Sequence, residues 1–338
     1  MFEQFARRYA NELDMTMRRI VDTISDNVPE LGVMVRYPLG WVDEHNQPYS
    51  GATGKRIRPL FLLLCNEAAG GDWREALYAA AAVELLHNFS LIHDDIQDNS
   101  PTRHNRPAVW KVWGQANAIN AGDLLFALSY SALHQLTSSG LSSAVVLKIW
   151  QIFNQTNLEL TRGQHLDMSF EQREKVSVDE YISMITGKSA ALLAACAQIG
   201  SLIATRDEAL ADKYAEFALN LGIAFQIRDD ILGIWGDPSV TGKSVATDIL
   251  SKKKSLPVLY GLDKSQRLGD IYRREPMRET DVEEAVEELQ LLGAKDYTRT
   301  IEAEYYQRAV EALQQANPQG HAADWLYQFV DILFNRSY

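Results

Sequence analysis

The sequence predicts an all-α fold of about a dozen helices in one domain, residues 1–338. Three observations carry that expectation. No proline occurs between Pro59 and Pro101, or from Ala108 to Asp237, and long proline-free stretches rich in Ala and Leu favour helix because proline breaks helix interiors. Ser177-Val-Asp-Glu180, Thr205-Arg-Asp-Glu208 and Thr280-Asp-Val-Glu283 each have the S/T-x-x-E form of a capping box ahead of an apolar-periodic run. No succession of alternating β-branched segments with turn signals is present to build a sheet.

Taken in chain order, the opening MFEQFARRYANELDMTMRRI has no unbroken apolar stretch of the kind a secretory signal needs. Asn27–Gly54 carries Pro29, Pro38 and Pro48 and reads as an irregular connection. Gly54-Lys55-Arg56-Ile57-Arg58-Pro59 then opens a helix. Glu75–Asp98, with its Ala79–Ala82 run, is a long helix of high propensity. Asn99–Pro107 is a turn between helices. Ser189–Ala204 is the most membrane-like segment, too short to span and interrupted by Gln198. Gly236–Pro257 reads as a basic loop, Gly293 as a helix stop, and the segment after Arg273 as charged helix covering the bundle.

Composition narrows the function. Against 45 Asp+Glu there are 33 Lys+Arg, a formal charge of −12, which argues against a chain built to grip nucleic acid by its phosphates. Two cysteines, Cys65 and Cys196, exclude a disulfide scaffold or a Cys-rich zinc module and read as core residues. The chain reads as cytoplasmic, with no stable membrane insertion.

Two acidic constellations stand out. Asp94-Asp95-Ile96-Gln97-Asp98 closes the long helix, and on a helix Asp94 and Asp98 share one face with Asp95 close by. Carboxylates so near one another repel and raise each other's pKa unless a cation sits among them. Oxygen-only ligands beside a polyphosphate suit Mg²⁺. Phe225-Gln226-Ile227-Arg228-Asp229-Asp230 likewise ends an apolar helix in an acidic pair. Either pair alone fits a solvated helix end; two together point to metal. Positive charge lies at Lys55, Arg56 and Arg58 on a helix N-terminus, where backbone N–H groups and the dipole favour phosphate. Arg103 and Arg106 follow the first acidic motif, and Lys188, Lys243, Lys252, Lys253 and Lys254 lie near loop ends. Lys252 and Lys254 read as ordinary surface charge.

Seven motifs in order carry a resemblance: GKRIRP (Gly54–Pro59), LLHNFSLIHDDIQD (Leu85–Asp98), NAGD (Asn120–Asp123), GQHLD (Gly163–Asp167), TGKSA (Thr186–Ala190), FQIRDD (Phe225–Asp230) and DILSKKKSLP (Asp248–Pro257). The chain resembles the trans-type isoprenyl diphosphate synthases, or polyprenyl synthetases, over nearly all of its length. The resemblance implies a single large helical bundle around a central cavity, the type I isoprenoid synthase fold, working as a homodimer. It implies three Mg²⁺ ions on an allylic diphosphate (dimethylallyl, geranyl or farnesyl), with Asp94, Asp98 and Asp229 as ligands and Asp95 and Asp230 in support. Asp95 is counted among the metal ligands as well. The catalytic set so implied is Asp94, Asp95, Asp98, Asp229, Asp230 and Lys188. Lys188, Lys253, Arg103 and Gln226 resemble further diphosphate and pocket contacts, and Lys55, Arg58 and His87 the seat of isopentenyl diphosphate. No nucleic acid partner is implied.

The chain departs from the family pattern at three places. Arg103-His104 stands where two adjacent arginines are usual, which leaves His104 or Arg106 to supply the second contact. Gly233 stands where many members carry a third Asp, with Asp237 a distant substitute, and Ser189 replaces a commoner Thr. Phe89 and Ser90, fifth and fourth before Asp94, resemble a chain-length floor of one aromatic and a small neighbour, which implies mainly a C20 product with C15 second. Rival readings fit less well. A di-iron carboxylate bundle needs two Glu-x-x-His motifs, and only Glu84-Leu-Leu-His87 is present. A terpene cyclase has no need of Lys55, Arg58 and His87. A non-catalytic regulatory subunit is expected to lose the aspartates that this chain keeps.

Overall fold

The computed structural model describes residues 2–25, 28–49, 51, 54–236 and 247–334; Asp237 and Lys243 lie outside the described residues. It divides into two compact units. One is Met1–Gln151 with Ile199–Ala211 and Gln319–Trp325; the other is Ile152–Gln198 with Asp212–Pro318 and Leu326–Tyr338. Helix dominates throughout, as the proline distribution predicts.

In the first unit, α1 (Phe2–Ser25) is amphipathic. Tyr9, Leu13 and Met17 recur every fourth residue and are fully buried, each such side chain contributing about 1.5–3 kcal/mol. The supposedly irregular Asn27–Gly54 contains a second helix, α2 (Pro29–Arg36), with Pro29 in its first turn, where its missing N–H costs nothing. Next come α3 (Ile57–Ala68) and α4 (Leu77–Gln97), which pack on each other; α4 also packs on α1 and on α6 (Gln115–His134). Ala79–Ala82, Val83, Leu85 and Leu86 are all fully buried, so α4 is apolar on every side and serves as the central helix of this unit.

Besides an isolated antiparallel bridge between Val42 and Pro48, the turn after α4 carries the only paired strands among the described residues. Thr102–Arg103 (β1) pairs antiparallel with Arg106–Pro107 (β2) in a minimal hairpin. His104 and Asn105 at its tip both have positive φ, 52° and 61°, as a tight hairpin turn matched to strand twist requires.

In the second unit, one cluster gathers Phe170, Tyr181, Met184, Ile223, Ile227 and Leu256, and another gathers Ile234, Ile249, Val258, Leu268 and Leu289. The Ser177 capping box forms as predicted: Glu180 N–H donates to Ser177 Oγ at 3.2 Å and the Ser177 N–H to Glu180 at 2.9 Å. It starts α8 (Val178–Ile185), which widens into a π-helical turn over Thr186–Ala190 and continues as α9 (Ala191–Thr205). The membrane-like stretch is therefore longer than Ser189–Ala204. The helical run Val178–Thr205 is long and apolar enough to cross a membrane by length and composition, and half of its most apolar window is buried within the protein, as in a core helix. The other two predicted boxes shift. Thr205 ends α9 with its hydroxyl on the Ser201 carbonyl, and Asp207 instead caps α10 (Glu208–Trp235) by accepting from Ala209 and Leu210 N–H. The Thr280 helix, α14 (Glu279–Leu291), starts two residues early, with Arg278 as its N-cap and Asp281 accepting from the Arg278 N–H at 2.9 Å. Gly293, at φ 70°, follows its end.

Candidate active site

The first unit holds a basic cavity. Gly54, Lys55, Arg56 and Arg58 from the start of α3, Glu84, His87 and Asn88 from α4, and Arg103 and His104 from the hairpin line a space of about 380 Å³. Five residues singled out in the sequence, Lys55, Arg58, His87, Arg103 and His104, thus meet around one opening. Arg56 is diverted to the scaffold. It adopts the left-handed region (φ 47°) at the N-cap of α3, a strained position for a side chain with Cβ, and its guanidinium is held by Asp14 at 2.7 Å and the Leu39 carbonyl at 3.2 Å.

The electrostatics of this cavity follow from its burial. Burial first, then the charges of Arg58, Arg103 and His104, hold His87 well below the ordinary imidazole range. It is neutral, so Nε2 accepts from Arg58 Nη1 at 3.1 Å and the ring proton sits on Nδ1. Glu84 is buried beside it; Asn88 Nδ2 donates to Oε1 at 3.1 Å, while Oε2 has no hydrogen-bond partner among the described residues. Burial pushes the Glu84 carboxyl up, against the pull of Arg56 and Arg58. Sequence reasoning weighed Glu84 only as a di-iron ligand and passed over Asn88; their places one turn before His87 and next to it, among apolar residues, were the available signal.

The first acidic motif separates into two kinds of carboxylate. Asp95 is buried and takes Arg103 in a fork, at 3.0 Å from Nε and 2.5 Å from Nη2, while Asp94 lies 3.6 Å from the same guanidinium. Burial opposes the Arg103 charge, but the hydrogen bond to Asp95 and the charges of Asp95, Asp94 and Asp98 outweigh it and raise its pKa. Asp94 is half-buried and Asp98 exposed. The three acids are thus unequal: Asp95 fixes the hairpin to α4, and Asp94 and Asp98 line the end of the helix.

Arg106 does not line this cavity. Its guanidinium is sandwiched 3.8 Å from the Tyr37 ring and 3.9 Å from the Tyr49 ring, and donates to the carbonyls of Tyr37 (3.2 Å) and Val42 (2.9 Å). His104 is the residue that lines the space; burial and Arg103 lower its pKa, so it contributes a neutral ring near pH 7. Trp110 donates to the Ser100 carbonyl at 2.8 Å, and Trp113 meets Tyr37 edge-on at 5.1 Å, so both tryptophans serve packing. His93 lies against Phe89 with ring centroids 4.7 Å apart, over Gly122, whose missing Cβ would come within 2.5 Å of that ring. Ser90 returns its hydroxyl to the His87 carbonyl.

The second unit holds the other acidic motif. Asp230, 1 % exposed, accepts from the Tyr181 hydroxyl, the Leu256 N–H (3.1 Å), Lys253 Nζ (3.4 Å) and Gln226 Nε2 (3.4 Å). Burial and the Asp230 charge raise the Tyr181 pKa, which keeps its proton in place to donate. Burial works against the Lys253 charge, and the carboxylates of Asp230, Asp248, Asp229 and Asp167 outweigh it, so Lys253 stays fully charged. Asp229, one residue earlier, is half-buried. Gln226 is also tied to Ser189, whose hydroxyl donates to Oε1 at 2.8 Å, so the Ser for Thr departure keeps a bonded oxygen. Lys188 pairs with Asp167. It sits in the π turn where α8 passes α7 (Ser143–Gln172) so closely that a Cβ at Gly163 would lie 2.1 Å from the Lys188 backbone nitrogen. Lys252 pairs with Glu275 (3.2 Å) and Lys254 donates to the Phe170 carbonyl (2.7 Å), so both serve the surface and scaffold.

Gly233 has a physical explanation. A Cβ there would lie 2.3 Å from Asp248 Oδ2, and Asp248 is buried with Lys253 at 3.5 Å. Asp248 was legible as a motif residue only; its meeting with Gly233 required the fold.

These acids suit a hard cation. They are oxygen donors, and among the described residues no three His, Cys, Asp or Glu side chains are assembled to hold an ion by themselves. An ion such as Mg²⁺, which takes one or two carboxylate oxygens and fills its shell with water and phosphate, fits that set; zinc, which wants three or four fixed nitrogen or sulfur ligands, does not.

An all-helical scaffold with a cavity lined by basic side chains, one acidic motif at the end of α4 and a second acid pair late in α10, five residues before its end, fits a diphosphate-handling class. A polyprenyl synthetase family profile matches residues 40–289. The chain belongs to the polyprenyl synthetase family, a family of prenyltransferases. It is 40% identical over 245 residues to (2E,6E)-farnesyl diphosphate synthase of Mycobacterium tuberculosis, covering 72% of this chain and 66%, just under two thirds, of that protein. It is similar to the crystal structure of geranylgeranyl pyrophosphate synthetase from Pyrococcus horikoshii, with TM-score 0.87 and 32% identity over 99% of both chains. It is also similar to that of polyprenyl synthase from Caulobacter crescentus complexed with calcium and isoprenyl diphosphate, with TM-score 0.81 and 27% identity over 100% of this chain and 98% of that one.

Proposed function

We propose that the chain is a cytoplasmic, homodimeric, Mg²⁺-dependent trans-isoprenyl diphosphate synthase. It joins isopentenyl diphosphate head to tail to an allylic diphosphate (dimethylallyl, geranyl or farnesyl), giving mainly a C20 product with C15 second. The observation that carries this reading is the cavity bounded by Lys55, Arg58, His87, Arg103 and His104 at the helix that ends in Asp94 and Asp98. Farnesyl and geranylgeranyl synthases among the relatives support the chemistry, and the calcium and isoprenyl diphosphate in the Caulobacter protein support a divalent ion on the diphosphate.

In this reading Lys55 and Arg58 hold the diphosphate of isopentenyl diphosphate, and neutral His87 fixes the Arg58 fork. Asp94 and Asp98 in the first unit, and Asp229 in the second, would hold Mg²⁺, which would neutralise charge on the leaving diphosphate. Asp95 acts through Arg103, and Asp230 through Lys253 and Tyr181, as supports rather than ligands. Lys188, Lys253 and Gln226 face the allylic diphosphate. The allylic C–O bond breaks with its electron pair going to the diphosphate. The alkene carbon of isopentenyl diphosphate attacks the allylic cation to form the new C–C bond. A proton then leaves to the released diphosphate. The residues position the reactants, stabilise departing charge and exclude water from the cation. Phe89, with Ser90 beside it, stops the growing tail.

The test is incubation with isopentenyl diphosphate, each allylic diphosphate in turn and Mg²⁺, followed by chain-length analysis. Elongation is expected. Folded protein that elongates no starter would overturn the reading.

A further inference from the structure

The first helix, α1, is tied to both ends of α3. Near the C-terminal end of α3, Glu67 accepts from Arg8 Nε at 3.1 Å and from the Tyr9 hydroxyl at 2.5 Å. At its start, Asp14 takes the N-cap residue. Asp14 Oδ1 accepts from Arg56 Nη1 and from Trp41 Nε1, and Oδ2 from Arg18 Nε, each at 2.7 Å. The Arg18 guanidinium in turn lies 4.4 Å from the Trp41 ring centroid, so three side chains close on one carboxylate. Burial works against the Asp14 charge, and the bonds from Arg18 and Arg56 outweigh it, holding the carboxyl below its ordinary range. The Asp14 and Arg56 side chains are only 26% and 17% exposed, so water and salt screen this pair less than a surface one. None of the seven motifs contains Asp14, Arg18 or Trp41.

What the carboxylate holds is a strained residue. Arg56 stands at the N-cap of α3 with φ 47° and ψ 38°, the left-handed region, where a residue with a Cβ persists only if its surroundings fix it. Its side chain caps nothing on α3 and runs instead to Asp14 and to the Leu39 carbonyl at 3.2 Å. Lys55 and Arg58 lie one residue before it and two after, and both line the basic cavity. A flip of Arg56 out of this conformation would re-aim the peptide that carries Lys55 and shift the first turn of α3, which carries Arg58 to His87 at 3.1 Å. A released Arg56 also has an acceptor waiting. After burial, the Arg56 charge is the strongest influence on the Glu84 carboxyl, whose Oε2 has no hydrogen-bond partner among the described residues.

Resting on the prenyl-transfer reading above, we propose that Asp14 is a positioning residue for isopentenyl diphosphate: by tethering Arg56 in the left-handed conformation, it sets the start of α3 and with it the places of Lys55 and Arg58. Asp14 touches no substrate. It acts through the backbone of Arg56, on the cations either side of it.

Steady-state kinetics of wild type, Asp14→Ala, Glu67→Ala, Asp14→Ala/Arg56→Gly and Asp14→Ala/Arg56→Ala test this, with thermal unfolding of each as a check on folding. Asp14→Ala raises the KM for isopentenyl diphosphate roughly tenfold, the effect of losing one charge-assisted hydrogen bond, while kcat and the KM for the allylic diphosphate hold. Glu67→Ala loosens α1 at the other end of α3 and leaves all three unchanged. Glycine takes the left-handed conformation without strain. Asp14→Ala/Arg56→Gly therefore brings the KM most of the way back, whereas Asp14→Ala/Arg56→Ala, which removes the same guanidinium and keeps the strain, does not. A wild-type KM in Asp14→Ala, an equal rise in Glu67→Ala, or the same KM in the two double variants overturns the proposal. Absence of any elongation by folded wild type overturns instead the reading on which it rests. Should the alanine variants fail to fold, Asp14→Asn and Glu67→Gln, each of which keeps one acceptor oxygen, carry the same comparison.

Discussion

Asp248 fills the space that a side chain at Gly233 would need, with its Oδ2 only 2.3 Å from where a Cβ would stand. A buried carboxylate from fifteen residues downstream stands there instead, 3.5 Å from Lys253. Placing an acid at this position by Gly233→Asp should therefore harm the protein. The expected loss is about 1–3 kcal/mol from overpacking, with lower condensation activity. Gly233→Asp/Asp248→Gly should recover part of both. Urea unfolding of the two variants checks this, and a stable, fully active Gly233→Asp would contradict it.

Arg106 and His104 should separate cleanly. Arg106→Lys loses a double ring stack and two carbonyl bonds, so its cost falls on stability, about 1–3 kcal/mol, with little change in the KM for isopentenyl diphosphate. His104→Asn keeps a residue that tolerates positive φ, so its stability should stay within about 0.5 kcal/mol while the KM rises. Melting curves and initial rates on the pair decide between these outcomes. The opposite pattern would place Arg106 in the substrate site.

His87 makes a pH prediction. Its folded pKa is depressed below 6.5, chiefly by burial and then by Arg58, Arg103 and His104. Below pH 6.5 the unfolded chain binds a proton that the folded chain refuses, so this contribution to stability, complete above that pH, is lost on acidification. The slope is at most one proton, about 1.4 kcal/mol per pH unit. His104 acts in the same direction; Glu84, with its raised pKa, acts in the opposite one. Stability measured from pH 7 to pH 5 should fall less steeply in His87→Gln than in wild type. Identical slopes would mean that the imidazole protonates alike in both states.

Gly163 allows α7 and the Lys188 turn to touch backbone to backbone. Gly163→Ala places a methyl 2.1 Å from the Lys188 nitrogen and must push the two apart. The cost should reach the upper end of overpacking, about 3 kcal/mol, and the KM for the allylic diphosphate should rise as Lys188 leaves Asp167. Unfolding and rate measurements on one preparation read both, and a neutral substitution would show that the helices yield easily.

What the sequence made legible was local or motif-bound. Ala79–Ala82 announced the central helix, and the Ser177 box formed where its sequence placed it. The Thr205 box failed for a visible reason: Asp207 lies two residues on and Thr205 can still bond back to Ser201. Lys55, Arg58, His87, Arg103 and His104 were found by motif, and their cavity by the fold. Long-range partnerships stayed hidden. Tyr37 and Tyr49 lie more than fifty residues before the Arg106 they enclose, and nothing local marks that sandwich. The helix Pro29–Arg36 was missed because its proline was read as a breaker rather than as a first-turn residue.

The widened turn at Thr186–Ala190 has a consequence for how this chain can vary. A π-type turn amounts to one residue more than regular winding needs. Deleting one of those five residues would let the stretch relax to ordinary helix with the faces on either side of it still in phase. What would go is the bulge that carries Lys188 to Asp167. A shortened turn should therefore keep the helix and lose the cation.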